Sequence, residues 1–377
     1  MALIITIVAF IIILSGLIFV HELGHFLAAK KTGVKVEEFV LGFPPLILKK
    51  QIGETLYGIG LIPFGGYNKI LGEDANNPES FSNPRSYESQ GPMVKFLIIS
   101  GGVFMNLMLA VAIFYSLAAF LGFQLWQPLL YSDYNFPFGK QQNFPMVAGV
   151  FEDSAAGKAG LEARDVILSA NGEHMADSQA FVEFISKNQG KEISLDLKNT
   201  RTRQEKKATI VLGEKDGEKQ TLGVSLSNAA LLSYESPFEK ISAGFLHSFN
   251  LIDFSFSTIG RVIKYSFVQK DAALLGASFV GPVGIYAITK IIIDYGWVEI
   301  LNFCGLISLA LAVTNILPFP AFDGGKLVFI LLQSIDKKRF SLEVQYKIEQ
   351  AGAMFLICLA ILITFKDFWF FKDIIFK

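Results

Sequence analysis

Four stretches of this 377-residue chain, Ala2 to Val20, Val94 to Phe123, Ile300 to Leu317 and Ala351 to Phe371, are apolar over roughly the twenty residues that crossing a bilayer requires. Hydrocarbon offers the backbone no water, so such a segment crosses as a helix that pairs its own N–H and C=O groups. The 52% apolar content and mean hydropathy of +0.45 reflect these blocks. The expected fold class is a multi-pass α-helical membrane protein with four transmembrane helices, a membrane-associated β region and an inserted α+β domain. No Lys or Arg precedes Lys30, so the first block lacks the basic start of a secretory signal and is expected to stay in place.

At the end of the first block stands His21-Glu22-Leu23-Gly24-His25. Four residues apart on a helix, the two imidazoles share a face and can reach one ion, with Glu22 beside the open coordination position. This is the ligand pair of a zinc hydrolase. Three polar groups at a bilayer margin are costly without a partner, and a bound cation supplies one.

Basic residues orient the spans. Lys30, Lys31, Lys35, Lys49, Lys50, Lys69, Arg85 and Lys95 lie between the first two blocks, and Lys326, Lys337, Lys338, Arg339 and Lys347 between the last two. Both loops are expected to face the cytoplasm, with the long segment from about Gln124 to Gly296 on the other side. Lys366, Lys372 and Lys377 pull mildly against this. A net charge of −1 gives no reason to expect nucleic acid. Cys304 and Cys358 fall within spans and read as apolar thiols.

Residues 36 to 72 alternate β-favouring residues with Gly and Pro, as strands and tight turns do. Too broken for a spanning helix, the region is expected to dip into the membrane against protein, where an exposed edge would hold an extended peptide by β-addition. A purely structural hairpin is the alternative. From Pro237 to Gln269, aromatic and aliphatic residues recur among charged ones, which suits a helix or helix pair on the membrane surface, with a fifth span as the alternative. His247 is expected in that interface and His174 on an ordinary surface. The charged run Lys198 to Lys207 reads as a solvated hairpin tip.

Residues 146 to 228 change to soluble α+β character. Lys158-Ala159-Gly160-Leu161, then Asp165 and Asn171-Gly172, resemble the turn signature of bacterial PDZ domains, with Arg164 where Gly is usual. That resemblance implies a groove for an extended peptide, with Leu222, Gly223 and Val224 as the loop that would receive a chain end. A steric filter that grips no terminus is the other reading.

The third block ends in Asn315-Ile316-Leu317-Pro318-Phe319-Pro320-Ala321-Phe322-Asp323-Gly324-Gly325. Two prolines and two glycines require the span to unwind around Asp323, and zinc held by two histidines lacks one protein ligand that a carboxylate can supply. Together with Pro63-Phe64-Gly65-Gly66-Tyr67 and Gly281-Pro282-Val283-Gly284-Ile285, these motifs resemble the site-2 proteases, in particular the bacterial RseP group, although many of that group carry two PDZ modules and this length holds one.

The resemblance implies an intramembrane zinc endopeptidase with His21, His25 and Asp323 as metal ligands and Glu22 as general base. Asn315, Gly65 and Gly66 are expected on the substrate. Zn2+ is the expected cofactor, and single-span membrane proteins, such as anti-sigma factors and remnant signal peptides, are the expected substrates, cut by a monomer in the bacterial inner membrane. The zinc site would face the cytoplasm and the PDZ domain the periplasmic or extracytoplasmic side.

The expected segments are 1–35 (first span and zinc motif), 36–92 (β region and loop), 93–123 (second span), 124–145 (linker), 146–230 (PDZ), 231–296 (surface helices), 297–335 (third span and Asn/Asp motif) and 336–377 (loop and fourth span). Rivals are a catalytically silent PDZ-bearing membrane adaptor and a transporter with a broken helix, which zinc stoichiometry separates from a protease.

Overall fold

In chain order the elements are α1 (Ala2–Lys31), β1 (Val36–Ile52), β2 (Thr55–Ile70), α2 (Pro92–Phe120), β3 (Gln124–Leu129), β4 (Lys140–Val150), α3 (Ala155–Lys158), β5 (Asp165–Ala170), β6 (Glu173–His174), α4 (Ser178–Lys187), β7 (Glu192–Asn199), β8 (Glu205–Val211), β9 (Val224–Ser233), α5 (Pro237–Gln269), α6 (Pro282–Tyr295), α7 (Trp297–Ile316), α8 (Asp323–Ile335) and α9 (Leu342–Phe376). This computed structural model describes residues 2–73, 82–151, 153–212, 214–215, 218–219, 222–269, 279–336 and 340–376. The basic residues Lys337, Lys338, Arg339 and Lys377 lie outside the described residues. The chain divides into two compact units, one of residues 1–114 and 262–377 and one of residues 115–261.

The first unit is helical because its apolar runs are long and unbroken. Among the described residues, four helices are long and apolar enough to cross a membrane, over Ile4–Lys31, Pro92–Phe120, Trp297–Ile316 and Leu342–Lys372. Ile4, Ile12, Phe104, Leu362 and Phe365 stand exposed on them, as side chains that meet lipid do. Ala29, Val34, Val36, Ile70, Ile98, Ile99, Leu327 and Ile330 bury a core where α1, α2, α8 and the strands meet. Two polar ties hold other parts. Ser15 Oγ donates to the Pro63 carbonyl, joining β2 to α1. The Asp367 carboxylate of α9 accepts from Gly281 N at 2.8 Å and Gly284 N at 2.9 Å, capping α6.

β1 and β2 pair antiparallel with repeated register shifts. Residues 38–41 of β1 face 56–59 on one side and 66–69 on the other, so 66–70 forms the outer row. Phe43, Ile47, Leu48, Leu61 and Ile62 of this pair are exposed.

The second unit is a seven-stranded sheet in the order β3-β9-β4-β5-β7-β8, with β6 on β5. Its core gathers Val147, Ile167, Phe181, Ile193, Leu195, Leu197, Ile210 and Leu222, and β7 buries every second side chain as a strand with one wet face must. Phe181 and Ile185 bring α4 onto that core, and Asp177 caps its start by accepting from Ala180 N at 2.8 Å. Residues 124–145, read from sequence as a linker, instead supply β3 and the first half of β4, because Leu125, Leu129 and Phe144 are buried against β9 and its neighbours.

Residues 237–269 form one continuous helix. Phe238, Ile241, Phe245 and Phe249 are exposed on it, while His247, expected at an interface, is buried with 2% of its surface exposed. Its Nδ1 lies 3.1 Å from the Tyr234 hydroxyl, and burial pushes its pKa down to about 4. His174 is exposed, with Nδ1 3.4 Å from the Leu168 carbonyl.

Candidate metal centre

Helical spacing sets His21 and His25 on one face of α1, with their Nε2 atoms 3.2 Å apart. Asp323, the first residue of α8, brings Oδ2 to 3.2 Å from His21 Nε2 and 3.4 Å from His25 Nε2. It reaches them because the chain leaves helical geometry between α7 and α8. Close packing there requires glycine, since a Cβ at Gly324 would stand 2.3 Å from the carbonyl oxygens of Ile316 and Leu317.

Neighbours set which ring nitrogen is free. His25 Nδ1 donates to the Ile98 carbonyl at 2.8 Å, leaving the Nε2 lone pair toward Asp323. His21 Nδ1 lies 3.3 Å from the Asn106 carboxamide. Asn106 Oδ1 has no other partner among the described residues, and a half-turn of the amide offers it to the His21 Nδ1–H. Both Nε2 atoms then converge as acceptors on Asp323 Oδ2, which is itself buried without a donor among the described residues.

Three acceptors facing one point repel unless a cation lies among them. Their separations of 3.2, 3.2 and 3.4 Å match the roughly 3.3–3.4 Å edges of a tetrahedron with metal–ligand bonds of about 2.0–2.1 Å. The three side chains therefore fit zinc.

The approach of α2 makes this possible. A Cβ at Gly24 would stand 2.1 Å from the Gly101 oxygen, and one at Gly102 would lie 2.4 Å from His25 Nε2. Only glycine lets the histidine face press against α2.

Glu22 lines the same cavity of about 220 Å³ as the two histidines, Asp323, Tyr67, Asn68 and Lys326. Asn68 Nδ2 donates to Glu22 Oε2 at 2.7 Å and to the Glu22 carbonyl at 2.6 Å. A Cβ at Gly66 would come within 3.6 Å of Glu22 Cγ, so the outer row of the β pair runs beside the carboxylate. Lys326, one turn after Asp323, pairs with Glu73 at 2.7 Å, and the Tyr346 hydroxyl donates to the Glu73 carbonyl.

Of the residues expected on the substrate, Gly65 and Gly66 lie in the outer row. A Cβ on Gly65, whose φ is +118°, would stand 2.7 Å from the Phe43 ring. Asn315 is half-buried on the last turn of α7 and does not line the cavity.

Leu222, Gly223 and Val224 belong to the other unit. There the Leu222 carbonyl accepts from Ala156 N at 3.1 Å and the Gly223 carbonyl from Phe151 N at 3.0 Å. β3 pairs along β9 from Asn228 to Ser233, and Ser178 N donates to Asn228 Oδ1 at 2.7 Å, so only residues 224–227 keep an edge clear of β3.

Sequence reasoning missed Asn68, Asn106, Lys326 and the Gly101-Gly102 pair. Asn106, a buried amide within the apolar helix α2, was a readable signal. Asn68 offered none.

Comparison with known proteins identifies the family to which the chain belongs. The sequence profile described as Peptidase family M50 matches residues 9–359. A Clostridium perfringens protein named as a zinc metalloprotease is 32% identical over 356 residues, 94% of this chain and 96% of its own length. A Clostridium acetobutylicum protein of similar name is 30% identical over 362 residues, 96% of each chain. The Regulator of sigma-W protease RasP of Bacillus subtilis is 26% identical over 444 residues, 96% of this chain and 98% of its own length.

Proposed function

Since the chain belongs to Peptidase family M50, the site-2 protease family, and is a membrane-embedded zinc metalloprotease, we propose that it cleaves the transmembrane segments of single-span membrane proteins with the His21, Glu22, His25 and Asp323 constellation. The observation that carries this reading is the convergence of the three ligand atoms, all within 4.8 Å of one another, on a cavity that the Glu22 carboxylate also lines.

His21, His25 and Asp323 would hold zinc, with Ile98 and Asn106 fixing the two rings. Zinc, when bound, supplies a water acidic enough to lose a proton near neutral pH. Glu22 takes that proton and returns it to the leaving amine, so its carboxylate must reach both the attacking oxygen and the scissile nitrogen. A substrate helix hides its amides and must unwind first. Residues 66–70 form an outer row beside Glu22, which suits them to hold the unwound chain as an added strand. Asn315, placed on the substrate by family resemblance, would bind its backbone at a distance from the cavity wall.

The positive loops support a metal centre toward the cytoplasm and a PDZ-like module outside, in a bacterial cytoplasmic membrane. The exposed aromatic residues of α5 suit the membrane surface. RasP is named for sigma-W, and anti-sigma factors trimmed by another protease, together with remnant signal peptides, are the proposed substrates here.

Replacing Glu22 by Gln keeps the shape of the site and removes the base. Turnover of a tagged single-span test protein in vesicles should fall by about 10²–10⁴-fold with zinc still at one ion per chain. Wild-type turnover by Glu22→Gln would remove Glu22 from its role.

A further inference from the structure

Asparagine is disfavoured in strands, where β-branched and aromatic side chains fit better. Asn68 nevertheless sits within β2, between Tyr67 and Lys69 and paired with Phe39. A residue that works against its local preference needs a reason in the tertiary structure. Its carboxamide nitrogen donates twice to one residue, at 2.7 Å to Glu22 Oε2 and 2.6 Å to the Glu22 carbonyl. Asn68 Oδ1 is buried and finds no donor among the described residues. A polar side chain serving only to close a buried network would be satisfied at both ends. Here one end is committed to Glu22 and the other is left over in a residue that lines the metal cavity.

We propose that Asn68 is a positioning residue for the reaction. It holds the Glu22 carboxylate in one orientation and ties it to the β2 row, so that base and bound chain keep a constant spacing. The inference rests on the assignment of Glu22 as general base made above. Glutamate has three side-chain torsions, and a donor fixed to a strand removes much of that freedom before the substrate arrives. The double contact matters for register. Because the same nitrogen bonds both the carboxylate and the backbone of Glu22, a shift of β2 along α1 would break both bonds together. The row proposed to hold the substrate is thereby indexed to the residue that moves the proton.

The test compares wild type, Glu22→Gln, Asn68→Ala, Asn68→Val and Asn68→Asp in vesicles of phosphatidylethanolamine and phosphatidylglycerol. The probe is a tagged single-span test protein that the wild-type chain cleaves, and zinc per chain is measured on the same samples. Asn68→Ala and Asn68→Val should lower kcat about 10- to 100-fold, with KM within about twofold and zinc unchanged. Valine suits a strand and separates the loss of the donor from a weakened sheet. Asn68→Asp is nearly isosteric but cannot donate when ionised and repels Glu22, so it should be at least as impaired as Asn68→Ala.

Wild-type kcat in Asn68→Asp or Asn68→Val would overturn the proposal. So would a loss confined to KM or accompanied by loss of zinc, since the role would then be packing or metal retention. If Glu22→Gln itself cleaves normally, the general-base assignment fails. If Glu22→Gln is inactive and the Asn68 variants are normal, only the positioning role fails.

Discussion

Two aspartates, Asp165 of the α+β module and Asp323 of the metal centre, are treated in opposite ways. Asp165 of the α+β module is completely buried and fully served: Glu162 N donates to Oδ2 at 2.8 Å, Asn199 Nδ2 to Oδ1 at 2.8 Å, and Lys206 Nζ lies 2.9 Å from Oδ2. Asp323 of the membrane unit faces two imidazole nitrogens at 3.2 and 3.4 Å, and its Oδ2 has no donor among the described residues. The first carboxylate completes its own fold. The second is arranged so that the protein alone does not complete it, and Asn68 Oδ1 nearby shares that condition. The α+β module satisfies the aspartate it buries with its own donors, whereas the metal centre holds Asp323 Oδ2 in reserve for an ion.

Substitution of the two aspartates gives the largest test of that contrast. Asp323→Ala should lose most of its zinc and lower turnover at least as far as Glu22→Gln, by about 10²–10⁴-fold, while the module keeps its amide protection. Asp165→Ala should do the reverse, destabilising residues 146–233 by about 2 kcal/mol, below the 3–5 of a sealed pair because Lys206 is partly exposed, with zinc retained. Metal analysis and hydrogen exchange on the same samples read both effects. Equal zinc loss in the two variants would dissolve the distinction.

A smaller effect is expected one contact further out. Asn106→Leu removes the acceptor for His21 Nδ1 and should weaken zinc binding about 10- to 100-fold in chelator competition. Unchanged affinity would show that packing by Gly24, Gly101 and Gly102 alone holds the ring.

The smallest concerns Glu54, at the turn between β1 and β2, whose carboxyl is held down to about 2 by hydrogen bonds from Arg85 and Lys30. Its folded value lies below that of the unfolded chain, about 4.3, so its contribution is complete above that pH and disappears as pH falls toward 2. Glu54→Gln should flatten this acid dependence of the melting temperature at low salt, and added salt should shrink the difference because the pair is at the surface.

Much of this was legible in the residues. The four spans follow from run length, and the metal motif follows from two histidines at helical spacing, because both properties are local. The break before Asp323 follows from Pro318, Pro320 and the glycines after it. Residues 124–145 were misread because β3 has a weak pattern of its own, and only its partner β9 gives it an edge to pair with. His247 was misread because a polar residue in an amphipathic helix carries no mark of which face Tyr234 will cover.

What the sequence determined by itself was the chemistry available: two imidazoles, a carboxylate base and a distant aspartate, carried on segments that must be helical in lipid or broken where proline intervenes. What only the tertiary structure decided was how these groups are held. The approach of α1 to α2 through facing glycines, the choice of ring nitrogen by Ile98 and Asn106, and the seating of Asn68 on Glu22 all join residues between 46 and 85 positions apart. Local propensity does not extend over such separations. They are set by which surfaces pack, and packing depends on the whole chain at once.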